Sequence, residues 1–266
     1  MCEHRSTTRS LAADPRTGTL RAEGRGRRAL AAVTCGALAV GLAACESTED
    51  QSAKIGREGA HLIAEQGALR LGKANRGVRV SDVTVLSGGG RTAVAVRLTA
   101  SREQANVPVL IDVTGAGGKR LYSNGTGGLD ESLQRMPLLR RGQGAWWVDD
   151  QVLISQSAAA AHVQVGRGSS SSSTSEVSAV AVHLGEQSGT GVLSGELVNR
   201  SAKAQRKVPI FAVTMRGGRV TAAGRALIAT LPGGSGARTR TTPFQIFLVG
   251  NPAGSSVQLT VAPTVT

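Results

Sequence analysis

Two pairs of adjacent acids, Asp130-Glu131 and Asp149-Asp150, are the residues of this chain whose type best suits catalysis or ion binding. Brought into one pocket they would offer oxygen ligands to calcium, which takes about six to eight. They would equally supply the acid and base that a polysaccharide hydrolase places across a glycosidic bond. Neither pair has the spacing of a calcium loop, and isolated adjacent acids are most often turn and strand-end residues. They are therefore expected to be structural, with a carboxylate-dependent hydrolase of cell-wall polysaccharide as the alternative. His61, His162 and His183 are scattered, and no cysteine cluster accompanies them, so no tetrahedral zinc spacing can be written. No Gly-Lys-Ser or Gly-Lys-Thr of a phosphate loop occurs, and Gly234-Ser235-Gly236 lacks the second spacing of a nucleophile elbow. Gly189-Thr190-Gly191 runs into strand-like Val192-Leu193 rather than a helix, so it reads as a turn and not as a dinucleotide site. No catalytic residue, metal or cofactor is expected.

Trp146-Trp147 is the remaining feature with binding chemistry. Successive strand side chains face opposite ways, so one of the two enters the core. Trp146 shares parity with Val148, as Phe244 does with Ile246, and is assigned to the core face. Trp147 shares parity with Asp149 and is expected to point outward, packed under a neighbouring domain in preference to a ligand. Because Trp is enriched at binding hot spots, Trp147 is also the candidate partner contact.

The elements that would position these residues are strands. Period-two runs occur at Val78–Val85, Thr92–Thr99, Val107–Thr114, Lys119–Tyr122, Ala145–Ile154 and His162–Val165, broken by Gly88-Gly89-Gly90 and other glycine-rich turns. A serine-dominated run follows Gly166 and reads as a flexible linker. Strand signals then resume at Val177–Leu184, Gly191–Val198, Val208–Met215, Arg219–Thr221, Phe244–Val249 and Ser256–Val261. The halves read as copies: Val107-Pro108-Val109-Leu110 matches Val208-Pro209-Ile210-Phe211, and Gly117-Gly118-Lys119 matches Gly217-Gly218-Arg219. Trp146-Trp147-Val148 likewise matches Phe244-Gln245-Ile246, and Val163-Gln164-Val165 matches Val257-Gln258-Leu259. Short strands with frequent breaks predict antiparallel sandwiches.

The first 28 residues carry seven arginines against three acids, and Ala29 through Cys45 are uncharged. A basic stretch followed by an apolar one is the pattern of an export signal. Leu42-Ala43-Ala44-Cys45, followed at once by polar Glu46-Ser47-Thr48-Glu49, resembles the lipobox of bacterial lipoproteins. That resemblance implies a diacylglycerol on Cys45, cleavage just before it, and a place on the outer face of the cell membrane. Two acyl chains make a durable anchor where one does not. Cys2 and Cys35 would be lost with the signal, leaving no thiol pair for a disulfide. Residues 46 to 74, where Ile55, Leu62 and Leu69 recur every seventh position, are expected to form a tether with a short helix.

In the second half, Gly195 through Ser201, the Gly217-Gly218 hairpin, Leu231-Pro232-Gly233 and Phe244-Gln245-Ile246 resemble the FxLYD-type immunoglobulin-like domains of bacterial surface proteins. Phe211-Ala212-Val213 departs from that family's signature. The whole chain resembles lipoproteins of actinobacteria in which such a domain pair follows a lipidated tether. The expected fold class is thus all-β: a signal peptide over 1–44, a lipidated tether over 45–74, and immunoglobulin-like sandwiches over 75–166 and 177–266, joined by a serine-rich linker over 167–176.

From residue 45 onward the chain has 24 basic and 15 acidic residues, a net +9. Such a charge attracts anionic surfaces or simply keeps a protein soluble. The charges are spread, and beyond about 10 Å at 0.1 M salt they are screened. Six aromatics in 266 residues leave little stacking surface for single-stranded nucleic acid, and no nucleic-acid partner is expected. The reading is a membrane-anchored, non-enzymatic binding or structural protein whose partner is an envelope protein or an anionic wall polymer.

Overall fold

The computed structural model describes residues 69–126, 130–170, 176–234 and 241–263. The expected signal peptide, Cys45, the expected tether before Leu69 and the centre of the serine run lie outside them, and the described end of that tether, residues 69–74, forms no helix. The first half holds β1 (Val78–Gly88), β2 (Arg91–Ala100), β3 (Gln104–Thr114), β4 (Arg120–Ser123), β5 (Arg135–Leu139), β6 (Gly144–Val152) and β7 (Ala160–Val165). The second holds β8 (Val177–Gln187), β9 (Thr190–Asn199), β10 (Gln205–Arg216), β11 (Arg219–Leu231), β12 (Thr241–Phe247), β13 (Val249–Gly250) and β14 (Ser256–Val261). Every pairing between them is antiparallel, and the described residues contain no α-helix. Among them, no helix is long and apolar enough to cross a membrane. The chain is all-β, built from two sandwich-like modules.

Each module has one three-stranded sheet, β1-β2-β6 or β8-β9-β12, and one sheet centred on β3 or β10. The pairing repeats in detail. The first hairpin of each module carries a register shift, between Val80 and Asp82 and between Val180 and His183. A second shift falls between Val113 and Thr114 in β3 and, 101 residues later, between Thr214 and Met215 in β10. Asn106 and Lys207, also 101 apart, both have φ near +50°, a conformation uncommon outside glycine. A bulge kept at the same place in both copies marks a shared architecture.

The copies differ in one informative place. β11 runs unbroken along β10, whereas the first module covers β3 with two pieces, β4 and β5. The offset between equivalent residues falls from 100 at Ser123 and Ala223 to 92 at Leu139 and Leu231, so the first module carries an eight-residue insertion. Asp130 and Glu131 sit in that insertion. The short β5 was not expected from the sequence, because Arg135-Met136-Pro137-Leu138-Leu139 reads as an apolar patch with a proline rather than as an alternating run.

Leu193, Leu197, Ile210, Ala212, Phe244 and Ile246 fill the space between the sheets of the second module. The first module's core is not closed on itself: Val96, Leu98, Ile111 and Trp147 join Phe211, Val213 and Ala223 of the second module in one buried cluster. The expected linker is also shorter than its composition suggests. Ser169 exchanges two backbone hydrogen bonds with Ala105, both 2.9 Å, which ties it to β3. The described residues accordingly belong to one compact unit.

At the far end the β1–β2 hairpin meets β13 backbone to backbone. A Cβ on Gly88 would stand 2.9 Å from the Gly250 nitrogen, and Gly250 itself holds φ at +108°. Gly88→Ala is expected to cost about 1–3 kcal/mol as an overpacked contact, read as a lower midpoint in thermal unfolding. An unchanged midpoint would show that the hairpin does not touch β13.

Candidate functional site

β6 pairs with β2 along one edge only, and its other edge abuts the second module. An open edge carries unpaired N–H and C=O groups that must find partners. Here side chains from β11 and β14 supply them. The Trp146 N–H donates to Thr260 Oγ1 at 2.8 Å, and the Val148 carbonyl accepts from Arg225 Nη1 at 3.2 Å. The Trp146 indole donates to Gln258 Oε1 at 2.9 Å, and the Arg97 guanidinium lies 5.9 Å from its ring. β12, the counterpart of β6, has Pro243 opposite Glu196, where β6 has Trp146 opposite Arg97. Proline has no N–H to leave unpaired. The second module's edge is thereby blunted where the first module's is covered.

Arg225 is the centre of the junction. Its side chain is 3% exposed, on a strand whose neighbours are alanines and glycine. A buried guanidinium needs anionic partners, and Asp149 and Asp150 supply them. Nη2 donates to Asp149 Oδ1 at 2.8 Å, Nε lies 3.1 Å from Asp150 Oδ1, and the Arg225 backbone N–H donates to Asp150 Oδ2 at 3.1 Å. Nη1 also donates to the Leu133 carbonyl at 3.4 Å. Tyr122 completes the set, its hydroxyl donating to Asp149 Oδ2 at 2.8 Å. Burial, with the Asp149 charge and hydrogen bond behind it, pushes the Tyr122 phenol far above its usual range. Burial also raises Asp150 above the ordinary carboxylate value, against the lowering pull of Arg225.

Asp130 and Glu131 do not share this pocket. They line an open cleft with Asn106, Arg135 and Lys207. Lys207 Nζ reaches Asp130 Oδ2 at 3.0 Å across the two modules, and Glu131 pairs with Arg135 at 2.8 Å. Burial alone would raise Asp130; hydrogen bonds from Ser132 and the Lys207 ammonium more than offset it, and its pKa is lowered. The four carboxylates thus divide between two places, each already engaged by a cation, and no free acid–base pair results. Among the described residues no three His, Cys, Asp or Glu side chains group as a metal site would require.

The parity assignment of Trp147 is overturned, because its side chain is fully buried on the core face it shares with Val96 and Leu98, while the expected packing against the second module is found, its ring centroid lying 6.5 Å from that of Phe211. Trp147 pairs with Val96 as Phe244 pairs with Gly195, so Trp147, and not Trp146, is the counterpart of Phe244. The sequence match was set one residue out, and a one-residue slip exchanges the two faces. Trp146 is buried too, since the second module covers the other side of β6. A fully buried Trp147 offers no surface to an external partner.

No family model matches the chain, and no curated protein does. Arg225 itself was missed in the sequence, yet a signal was there. A lone arginine inside Val220 to Ile228, otherwise small or apolar apart from Thr221, signals a cation on a core strand, and the two adjacent acidic pairs are the places where negative charge is concentrated enough to meet it.

Proposed function

We propose that this chain is a lipid-anchored, non-enzymatic binding or structural protein of the bacterial cell envelope, with immunoglobulin-like modules held outside the membrane by a diacylglycerol on Cys45. The observation that carries the reading is the use made of the carboxylates. Asp149 and Asp150 are spent on Arg225 and Asp130 on Lys207, so the acids join the two modules rather than face a substrate. A two-module body with a shared core, carried on a tether, suits presentation of a surface to an envelope component, an envelope protein or an anionic wall polymer. The anchor rests on the lipobox resemblance at Leu42-Ala43-Ala44-Cys45 and on the uncharged run before it.

Cys45→Ala is expected to move the protein from the detergent-rich to the aqueous phase in a phase-separation assay and to abolish labelling by a radioactive fatty acid. Persistent labelling of that variant would rule out the anchor. Affinity capture from envelope extract with the full chain tests the binding role, and recovery of nothing beyond the control would argue against it.

A further inference from the structure

The second module shows what fills the outer face of its larger sheet: Phe211 and Arg225, paired across β10 and β11, lie beneath the first module. The shared register puts Leu110 at the place of Phe211 and Asp112 at that of Val213. On the neighbouring strand Ser123 stands for Ala223, and by extension Gly125 stands for Arg225. With glycine in place of the arginine, this face of the first module is left with an open cavity of about 520 Å³. That volume falls within the roughly 300–1,000 Å³ of small-molecule clefts. The face is not a second copy of the module junction, because Gly125 stands at the position from which Arg225 holds a strand edge.

The cavity has its own polar set. Asp112, Arg120, Ser123 and Thr126 line it between the aliphatic side chains of Leu110 and Leu121. Asp112 Oδ1 is closed off from solvent and has no hydrogen-bond partner. Arg120 Nη1, 3.8 Å away, is near enough to pair electrostatically and too far to donate. The Asp112 side chain as a whole keeps 23% of its surface and that of Arg120 70%, so the pair is reachable and Arg120 is free to turn.

We propose that this cavity binds a neutral saccharide of the envelope. An adjacent carboxylate and guanidinium carry no net charge, so neither an ammonium nor a phosphate gains from both. A ligand with vicinal hydroxyls does: one O–H donates to Asp112 Oδ2, the carboxylate oxygen that is not closed off, its neighbour accepts from Arg120, and the C–H face of the ring lies on Leu110 and Leu121. Ser123 and Thr126 add hydroxyls that both donate and accept. The proposal rests on the envelope-binding reading and gives it a ligand class.

The test is saturation-transfer NMR on the full chain with chitotetraose, cellotetraose and maltotetraose as probes and with spermidine and polyphosphate as charged competitors. At least one neutral probe should bind, and neither competitor should displace it. Asp112→Asn should weaken binding tenfold or more, and Gly125→Arg, which puts the second module's side chain into the cavity, should abolish it. Asp112→Asn barely changes volume, so it keeps the test decisive if Gly125→Arg does not fold. No binding by any neutral probe, displacement by a charged one, or binding that survives Asp112→Asn would each overturn the site. If both variants still capture envelope material as well as the native chain does, the cavity is not its binding site, while the envelope-binding reading itself survives.

Discussion

Replacing Arg225 by Met should destabilise the protein by about 3–5 kcal/mol, the usual cost of removing one partner from a buried ion pair. The variant keeps the aliphatic stem and leaves Asp149 and Asp150 buried without their cation. It also strips Val148 of the donor to its carbonyl. Urea unfolding followed by tryptophan fluorescence reads the loss directly, since Trp146 and Trp147 sit at the same junction. A loss below about 1 kcal/mol would mean that the two carboxylates reach water and that the junction is not closed.

The same variant has a pH signature whose sign is fixed. The Asp150 pKa is raised in the folded chain, so this carboxyl favours folding in acid, and its contribution is lost as pH rises through the folded pKa. Arg225 is the main influence holding that pKa down. Without it the folded pKa climbs further, so the loss, which begins at the unfolded-state pKa, runs on to higher pH and grows larger. The gap between Arg225→Met and the native chain should therefore narrow in acid and widen toward neutrality. Adding Asp149→Ile, which copies Ile246 from the second module, should recover part of the loss at neutral pH, because one unpaired charge is then gone.

The strands were legible in the sequence because their side chains alternate, as in Thr92–Thr99, or because glycine turns bracket them. The duplication was legible in Val107-Pro108 and Val208-Pro209, whose prolines occupy the same place: the carbonyls of Pro108 and Pro209 accept from Gly166 and Ala262 in the two modules. What stayed hidden was the junction. In β2 the small residues Ala93 and Ala95 are buried as fully as Val94 and Val96, so the face that the alternation leaves for solvent is covered as well. Nothing in a linear string says that the outer face of one sheet is covered by another 100 residues away. The acids illustrate this: Asp149 and Asp150 look like a strand end in isolation, and only Arg225, 75 residues on, explains why two carboxylates lie on an otherwise apolar strand. The serine run misled in the opposite direction, since Ser169 has the composition of a linker and the hydrogen bonds of a strand edge.

Trp147→Ala should cost about 3–5 kcal/mol, as deletion of a large aromatic from a closed core does. The side chain is fully buried, and its ring stands against Phe211 of the other module, so the cavity would open in the cluster that both modules share. One cooperative unfolding transition at lower denaturant is therefore expected, not selective loss of the first module. Trp147→Phe makes the sharper comparison. The indole Nε1 of Trp147 is buried with no hydrogen-bond partner, and a buried donor left unpaired costs about 1–3 kcal/mol. Phenylalanine removes that penalty while giving up part of the ring volume, and the second module already holds Phe244 at the equivalent place. The two effects oppose each other, so Trp147→Phe should stay within about 1 kcal/mol of the native chain. Were Trp147 a surface contact instead, both variants would leave stability nearly unchanged, and the Trp146 emission that remains would not shift. Were the indole N–H satisfied by a buried water, Trp147→Phe would lose several times more than expected, and the difference between the two variants would shrink accordingly.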